Sequence, residues 1–457
     1  MKNKLELRPY QKEDVIFLSK LKAGACFNEQ RTGKTPVALN VIKEKNCNKV
    51  LILCPASAVY SWVYEYERWL EQPCNPVAGN SSKKKQQAVL NWEHGLVASY
   101  DSVKETKSNA GLVNLILKQK PDMIILDEAH RIRNRTTATA TAAFKLGLHI
   151  PNRLVLTGTP APSHCDDIWS ILHFLYPKHY TSYWNWVEQN CYTQRKNNPN
   201  TGRPYVDIIG LSVYGKHRLT KELNSISTMR KRKEVMPWLP DKTYREILLP
   251  LTKEQKNYIA QLEEFFEIKG TDIVTKTILD NLIRVRQICN APALVNLKGN
   301  SPKLDWLVQY TKDYPDTPTI VFSNFTSFLK LIKNKIPQAE LIVGDTPIKE
   351  RARLCKLFQQ GKIPMLLINI VAGKEALTLD NAEVTIFTDK YPPVGNIDQA
   401  EDRFVATTRE KKDKQHLIIE LIMDKSYDKQ LYTLLRSRYN EVDIINNYTK
   451  YLEQSKC

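Results

Sequence analysis

Two stretches in the first third of the chain have the residue types and spacing for phosphoryl chemistry. The segment from Asn28 to Thr35 reads NEQRTGKT and ends in Gly33-Lys34-Thr35. In a loop of this kind backbone N–H groups wrap phosphates, the lysine neutralises charge on the terminal phosphates, and the threonine hydroxyl ligates Mg²⁺. Pro36 to Lys43 follows with a helical pattern, so a helix N-terminus would face the anion, and proline suits its first turn. The full GxxxxGKT pattern would place a glycine at position 28, where this chain has Asn28. Asp127-Glu128-Ala129-His130 directly follows the apolar run Met123 to Leu126. Two carboxylates at the end of a buried strand can divide the work. Asp127 would hold Mg²⁺, mainly through its hydration shell, and Glu128 would orient and deprotonate an attacking water. Each motif alone also fits an ordinary loop and helix start; their order, with a strand before the second, is what carries the reading. Leu156-Thr157-Gly158-Thr159-Pro160 follows a further apolar run and reads either as a plain strand-to-turn link or as small hydroxylated residues beside a nucleotide.

These residues need a scaffold that brings strand ends together. Val50 to Leu53, Met123 to Leu126 and Leu154 to Leu156 are short apolar runs of the type found in buried parallel strands. A second set comes later, at Thr319 to Phe322, Met365 to Ile368 and Val384 to Phe387. Each set alternates with helical patterns, which predicts two α/β domains. Pro237 and Pro240 break the pattern, so the expected division is 1–235 and 236–457, with a protrusion at about 176–230 and a helical segment at about 253–290. The polar tail after Ser437 is expected to form a loosely packed helix.

Length and composition narrow the class. A chain of 457 residues with 42% hydrophobic and 25% charged residues is large enough to bury its own cores. No apolar run approaches the ~20 residues of a membrane span, and the start lacks a signal-peptide pattern, so a cytoplasmic location without membrane contact is expected. The nine cysteines contain no CxxC pair, which disfavours a disulfide framework or a zinc knuckle. Lys and Arg number 67 against 49 Asp and Glu, a net charge of +18 that favours a polyanionic partner, nucleic acid first.

Taken in order, the motifs resemble those of superfamily 2 helicase-type ATPases, and the resemblance sharpens to the SNF2 family over nearly the whole chain. Leu7-Arg8-Pro9-Tyr10-Gln11, Leu53-Cys54-Pro55-Ala56-Ser57 with Trp62 behind it, and Ala98-Ser99-Tyr100-Asp101 are similar to SNF2 segments. So are LTGTPAPSHCDDIWSILHFL from 156, MRKRKEVMPWLPDK from 229 and RQICNAPAL from 286. In the second half, Ile320 to Phe325 resembles the IFSQF motif, Ala372 to Leu379 resembles AGGxGLNL with Lys374 and Ala376 in place of glycines, and Gln399 to Arg403 reads QAEDR. The resemblance implies an α/β fold of two RecA-like lobes, parallel sheets flanked by helices, with short helical protrusions. It implies ATP and Mg²⁺ as cofactors, with ATP in the cleft between the lobes, and duplex or branched DNA bound mainly through its phosphates with low sequence specificity. A monomer is expected.

By the same resemblance Gln11 would read adenine, and Arg8, Gln30, Arg31, Thr32, Gly33, Lys34, Thr35 and Gly373 would line the nucleotide. Asp127, Glu128, Lys34 and Arg403 would be catalytic, with Thr35 and Asp127 on the metal. The family pattern has a second arginine three residues after Arg403, where this chain has Ala406; Arg409, one helical turn on, is the candidate substitute. Ser57, Trp62, Thr159, Asn324 and Thr378 are candidate DNA contacts. Trp184 and Trp186 read either as a wedge that stacks on a base at a junction or as packed core. The basic runs Lys83–Lys85, Arg230–Lys233 and Arg409–Lys414 read as solvated faces or phosphate contacts; His164, His173 and His179 lack metal-ligand spacing. Within the family, RTGKT in place of GLGKT resembles compact bacteriophage proteins, including branch-migration helicases of T5-like phages. The function this implies is ATP-driven remodelling of branched DNA, by junction branch migration and fork reversal in recombination, repair or replication. The alternatives are strand separation on tailed duplexes and a DNA-binding regulatory module that does not hydrolyse ATP.

Overall fold

The computed structural model describes residues 5–79, 81–104, 111–158, 160–161, 164–197, 202–237, 243–370, 379, 381–391, 397, 416–437 and 441–454. The chain divides into two compact units, Met1–Pro237 and Trp238–Cys457.

The first unit is built on a sheet of β1 (Ala23–Cys26), β2 (Val50–Cys54), β3 (Cys74–Val77), β4 (Gly95–Ser99), β5 (Met123–Asp127), β6 (Asn152–Leu156) and β9 (Ser227–Thr228). Its order is β3-β4-β2-β5-β6-β1-β9, and every pairing is parallel. Parallel strands with helices on both faces are apolar on both sides, and alternate residues serve different layers. Leu51 and Leu53 of β2 pack with Ile124 and Leu126 of β5 in one core. Val50 and Ile52 pack with Met123 and Ile125 in the other. The continuous runs Val50–Leu53 and Met123–Leu126 are therefore what a two-sided core demands.

Between β6 and β9 the chain forms the helix Tyr183–Asn190, an antiparallel hairpin of β7 (Cys191–Asn197) and β8 (Pro204–Leu211), and the helix Val213–Ile226. The hairpin was not legible in the sequence, because its strands carry polar residues on exposed faces and lack hydrophobic alternation.

The second unit holds β10 (Thr243–Leu249), β11 (Thr319–Ser323), β12 (Glu340–Ile342), β13 (Met365–Asn369), β14 (Val384–Phe387) and β15 (Leu417–Met423) in the order β10-β15-β14-β11-β13-β12, again with parallel pairings. Ile320 and Phe322 face one core and Val321 the other. The segment read as helical contains Lys253–Phe265 and Ile278–Asn290. The tail differs from the loose helix expected. Glu441–Gln454 is helical, and Ile444, Tyr448 and Leu452 are buried in the core. They recur every four residues, an apolar stripe one helix face wide, and the Tyr448 hydroxyl donates to Asn281 Oδ1 at 2.7 Å.

Among the described residues no helix is long and apolar enough to cross a membrane, and no group of His, Cys, Asp and Glu forms a metal cluster.

Candidate nucleotide site

Register brings the site together. Cys26 of β1 and Asp127 of β5 both align with Leu156 of β6. The loop after β1, the carboxylate pair after β5 and the Thr157-Gly158 turn after β6 thus emerge side by side at the carboxyl edge of the sheet, where open α/β sheets bind ligands.

The loop has the backbone that phosphate wrapping needs. Gly33 lies at φ 79° and ψ 50°, directly before the helix Lys34–Glu44. A Cβ there would stand 2.2 Å from Gln11 Nε2, so both the left-handed conformation and the close approach select glycine. Arg31 is also left-handed, at φ 62°. The helix Pro9–Ser19 braces this loop from behind. Gln11 Nε2 donates to the Thr32 carbonyl at 3.0 Å, Gln11 Oε1 accepts from the Arg8 N–H at 2.8 Å, and the Tyr10 hydroxyl donates to the Thr32 carbonyl at 2.6 Å. Gln11 is buried; its amide nitrogen holds the loop and its amide oxygen caps the start of its own helix. It therefore ties the loop to the N-terminus of this helix.

Lys34 Nζ donates to the carbonyls of Asn28 at 3.0 Å and Glu29 at 3.2 Å. The ammonium thus sits within its own loop, on neutral oxygens that a phosphate would outcompete. Thr35 follows in the first helical turn. Thr32 Oγ1 donates to the Glu29 carbonyl at 2.7 Å. A Cβ on Gly158 would lie 3.3 Å from Gln30 Cγ, so the turn after β6 packs directly on the loop.

Asp127 is held from three directions. Trp62 Nε1 donates to its Oδ2 at 2.8 Å, the Glu128 N–H donates to its Oδ1 at 3.0 Å, and the Tyr100 hydroxyl donates to its carbonyl at 2.8 Å. Burial first, and the neighbouring Glu128 second, push its carboxyl up to about 6, while the Trp62 bond and the Lys34 charge pull the other way. A carboxylate whose charge is this costly is one a cation would stabilise. Glu128 is left-handed at φ 51°, and its Oε2 lies 3.3 Å from His130 Nδ1. His130 Nδ1 is also 3.4 Å from Thr157 Oγ1, linking the carboxylate pair to the turn after β6. The residues present fit a magnesium–nucleotide complex: Thr35 and Asp127 for the metal, Lys34 and the loop N–H groups for the phosphates. Bound there, the metal would supply charge neutralisation on the phosphates.

Other expected residues fall elsewhere. Trp62 is 3% exposed and donates its N–H to Asp127, which places its side chain inside the first unit as a support for the carboxylate. The Trp184/Trp186 pair divides: Trp186 is 4% exposed and belongs to the core, while Trp184 is 52% exposed, with the Arg135 guanidinium carbon 5.9 Å from its ring. Ser57 is half-buried in a short 3₁₀ turn, Ala56–Ala58. Asn324 directs its amide to Asp389 Oδ2 at 2.7 Å. Asp389 is a buried hub that also accepts from Ser323 Oγ, from Thr388 Oγ1 at 3.1 Å and from Arg286 at 3.1 Å, so Asn324 belongs to an internal network at the carboxyl edge of the second sheet. Thr159, Gly373, Thr378, Arg403 and Arg409 lie outside the described residues. The sequence did not single out Tyr100 or Asp389 for these roles. Tyr100 stood within a recognised motif, but its partner is 27 residues away.

Comparison with known proteins places this arrangement. A model of the SNF2-related domain matches residues 10–294, and a model of the helicase conserved C-terminal domain matches residues 302–405. The chain belongs to the SNF2 family of superfamily 2 helicases and ATPases. It is 25% identical to the probable ATP-dependent DNA helicase CHR12 of Arabidopsis thaliana, over 93% of this chain and 41% of that protein. It is 24% identical to the DNA annealing helicase and endonuclease ZRANB3 of Mus musculus, over 88% of this chain and 37% of that protein. It is 25% identical to an uncharacterized ATP-dependent helicase of Mycoplasma pneumoniae, over 87% and 38%. The chain thus spans about two-fifths of the length of these relatives. A solved structure, the Sulfolobus solfataricus SWI2/SNF2 ATPase core in complex with dsDNA, aligns over 98% of this chain and 95% of that one at 22% identity and a TM-score of 0.45.

Proposed function

We propose that the chain is a DNA-dependent ATPase that translocates on duplex DNA and remodels branched DNA, by junction branch migration and fork reversal. The observation that carries the proposal is the juxtaposition of Lys34 in its glycine-bearing loop with Asp127 and Glu128, on three adjacent strands ending at one rung. Lys34 and the loop N–H groups bind the β- and γ-phosphates of ATP. Thr35 and Asp127 hold Mg²⁺, with Trp62 and Tyr100 keeping Asp127 in place. Glu128 takes the proton of the attacking water, and His130 beside it fixes its carboxylate. Arg403, with Arg409 as a candidate substitute for the missing second arginine, is proposed to meet the transferring phosphoryl group. The surplus of basic residues supports a phosphate-dominated grip on DNA with low sequence specificity and steep salt dependence. The branched-DNA part is supported by the likeness to a protein named as an annealing helicase.

One observation favours a second reading, strand separation. The hairpin β7–β8 carries Tyr192, at 55% exposure, and Tyr205, at 45%. Tyr205 stands on the face that also holds Lys196, its cross-strand partner, and Tyr192 lies just beyond an irregularity of the pairing between Tyr192 and Thr193. Aromatic side chains of this exposure can stack on an opened base pair.

The test is ATP-dependent conversion of a synthetic four-way junction, run beside a tailed duplex. Junction conversion with little action on the tailed duplex supports the first reading; efficient unwinding of the tailed duplex without junction preference supports the second. Lys34→Ala is expected to abolish both nucleotide binding and conversion. Glu128→Gln is expected to bind ATP and fail to hydrolyse it. DNA-stimulated phosphate release undiminished in Glu128→Gln would overturn its assignment as the base.

A further inference from the structure

Asn28, at the position where the phosphate-loop pattern has glycine, is fully buried, and its side chain is tied into a chain of interactions. Asn28 Nδ2 donates to Asp14 Oδ2 at 2.7 Å. Asp14, also fully buried, accepts on its other oxygen from Arg230 Nε at 2.9 Å. Arg230 reaches Glu13 as well, at 3.0 Å. A buried carboxylate survives only with partners of this quality, and here the partners come from two functional segments. One is the phosphate loop. The other is the last stretch of the first unit, residues 227–232, from which the chain runs on through Pro237 into the second unit.

The two segments are also joined by their backbones. β1 and β9 pair in parallel, Ala25 with Ser227 and Cys26 with Thr228. The pairing continues beyond the strands. The Phe27 N–H donates to the Thr228 carbonyl at 2.8 Å, the Glu29 N–H to the Arg230 carbonyl at 3.0 Å, and the Arg232 N–H to Glu29 Oε2 at 2.8 Å. Residues 27–29 are thus zipped to residues 228–232. The same short stretch holds Lys34, whose ammonium rests on the carbonyls of Asn28 and Glu29. For Lys34 to serve a nucleotide phosphate it must leave those two oxygens, and the peptide units it leaves are the ones stitched to 228–232. A glycine at position 28 would leave the backbone pairing in place and remove the side-chain tie to Asp14 and Arg230.

We propose that Asn28, Asp14 and Arg230 form a clasp that couples occupancy of the phosphate loop to the segment leading into the second unit. They act as positioning residues that set how strongly DNA and nucleotide influence each other. The proposal rests on the reading of the chain as a DNA-dependent ATPase and adds to it where the coupling is carried. Coupling between the affinities of two ligands is reciprocal, so its loss shows in both affinities: nucleotide no longer changes DNA affinity and DNA no longer changes nucleotide affinity. Stimulation of hydrolysis by DNA, a separate kinetic readout, is expected to fall with them. The binding of either ligand alone is untouched.

The experiment uses the full chain and the variant Arg230→Gln, which keeps a polar side chain at a position where the arginine is partly exposed. Four quantities are read: the dissociation constant of a fluorescent ATP analogue without DNA, that of a duplex without nucleotide, the same duplex constant with saturating nucleotide, and the stimulation of phosphate release by the duplex. The first two are expected to match the unsubstituted chain. The stimulation is expected to fall about tenfold, within the usual range of coupling between sites, with the nucleotide effect on duplex affinity falling alongside. A charge exchange, Asp14→Asn together with Asn28→Asp, keeps a donor–acceptor pair between positions 14 and 28 and an acceptor for Arg230. It is expected to restore stimulation that either single substitution loses, a rescue that simple damage to the fold would not produce. Stimulation that persists in Arg230→Gln overturns the clasp. A weakened duplex constant without nucleotide, equal to the loss of stimulation, also overturns it, since Arg230 would then be a DNA contact. Absence of stimulation in the unsubstituted chain overturns the underlying reading as well, so the two failures are distinguishable.

Discussion

The indole N–H of Trp62 donates to Oδ2 of Asp127 at 2.8 Å, across 65 positions of sequence. The bond joins the helix Val59–Leu70 to the end of β5. It makes a tryptophan from a segment expected to contact DNA into a support for the carboxylate proposed to hold the metal. Trp62→Phe keeps most of the packing and removes the donor, leaving a carboxylate oxygen short of a partner at a cost of about 1–3 kcal/mol. Phosphate release is expected to fall about tenfold, as about 1.4 kcal/mol in the transition state would produce. Duplex affinity without nucleotide is expected to stay unchanged. Steady-state kinetics and fluorescence anisotropy on the same samples check both, and a weakened duplex constant with normal hydrolysis would return Trp62 to the DNA side.

The two tryptophans of the protrusion are expected to behave oppositely. Trp186 lies in the core with Val187, so Trp186→Ala is expected to cost about 3–5 kcal/mol of stability. Trp184 is exposed and offers its ring to Arg135, so Trp184→Ala is expected to cost about 1 kcal/mol or less. If Trp184 stacks on an opened base, its replacement lowers conversion of branched DNA while leaving hydrolysis stimulated by plain duplex intact. Chemical denaturation and the junction assay separate the two effects.

Lys303 is wholly buried in the second unit, where its ammonium donates to Asp428 Oδ2 at 2.8 Å and to the Thr388 carbonyl at 2.6 Å. Asp428 also accepts from the Met423 N–H at 3.0 Å. Lys303→Met strands a buried carboxylate and is expected to cost about 3–5 kcal/mol, whereas Lys303→Met combined with Asp428→Leu is expected to recover part of that loss. Urea unfolding of the three chains measures it; equal destabilisation by the single and double variants would show that the ion pair is not the source of the cost.

Glu263 titrates where it affects stability near neutral pH. Burial pushes its carboxyl up to about 7, and a hydrogen bond with Tyr451 pulls down only partly. The aromatic hydroxyl of Tyr448 and the thiol of Cys289 also feel its charge. The folded state therefore holds the Glu263 proton more tightly than the unfolded chain does. Its contribution is fully present below the ordinary carboxylate range, about 4.5, and is lost as pH rises through about 7. At pH 8 the ionised side chain is expected to cost on the order of 3 kcal/mol. Glu263→Gln should raise the melting temperature at pH 8, leave it nearly unchanged at pH 4.5, and flatten the profile between. A slope unchanged by the substitution would place the titration elsewhere.

Much of the architecture was legible because two-sided burial writes itself into sequence. A central parallel strand must be apolar at every position, so β2, β5, β11, β13 and β14 stood out as unbroken runs. The loop proposed to hold phosphate stood out for a related reason: Gly33, Lys34 and Thr35 each have chemistry that few other residues can replace, at a spacing the backbone imposes. β1 was not legible. Its residues, Ala-Gly-Ala-Cys, lack branched side chains. They form a strand because β6 and β9 flank them and because small side chains let the chain around Leu18, Leu21 and Ile226 approach closely, with a Cβ at Gly24 falling 3.1–3.3 Å from those residues.

The sequence by itself determined which residues have the types and spacing for the proposed chemistry and which unbroken apolar runs form central strands, since both depend on residue type and local spacing. Only the tertiary structure decided what those residues touch. The alignment of Cys26, Asp127 and Leu156 on adjacent strands, the reach of Trp62 to Asp127, the division of Trp184 from Trp186, and the joining of Asn28 to Arg230 through Asp14 all depend on register and helix docking. These are sums of many weak contacts between distant segments, and no local pattern encodes them.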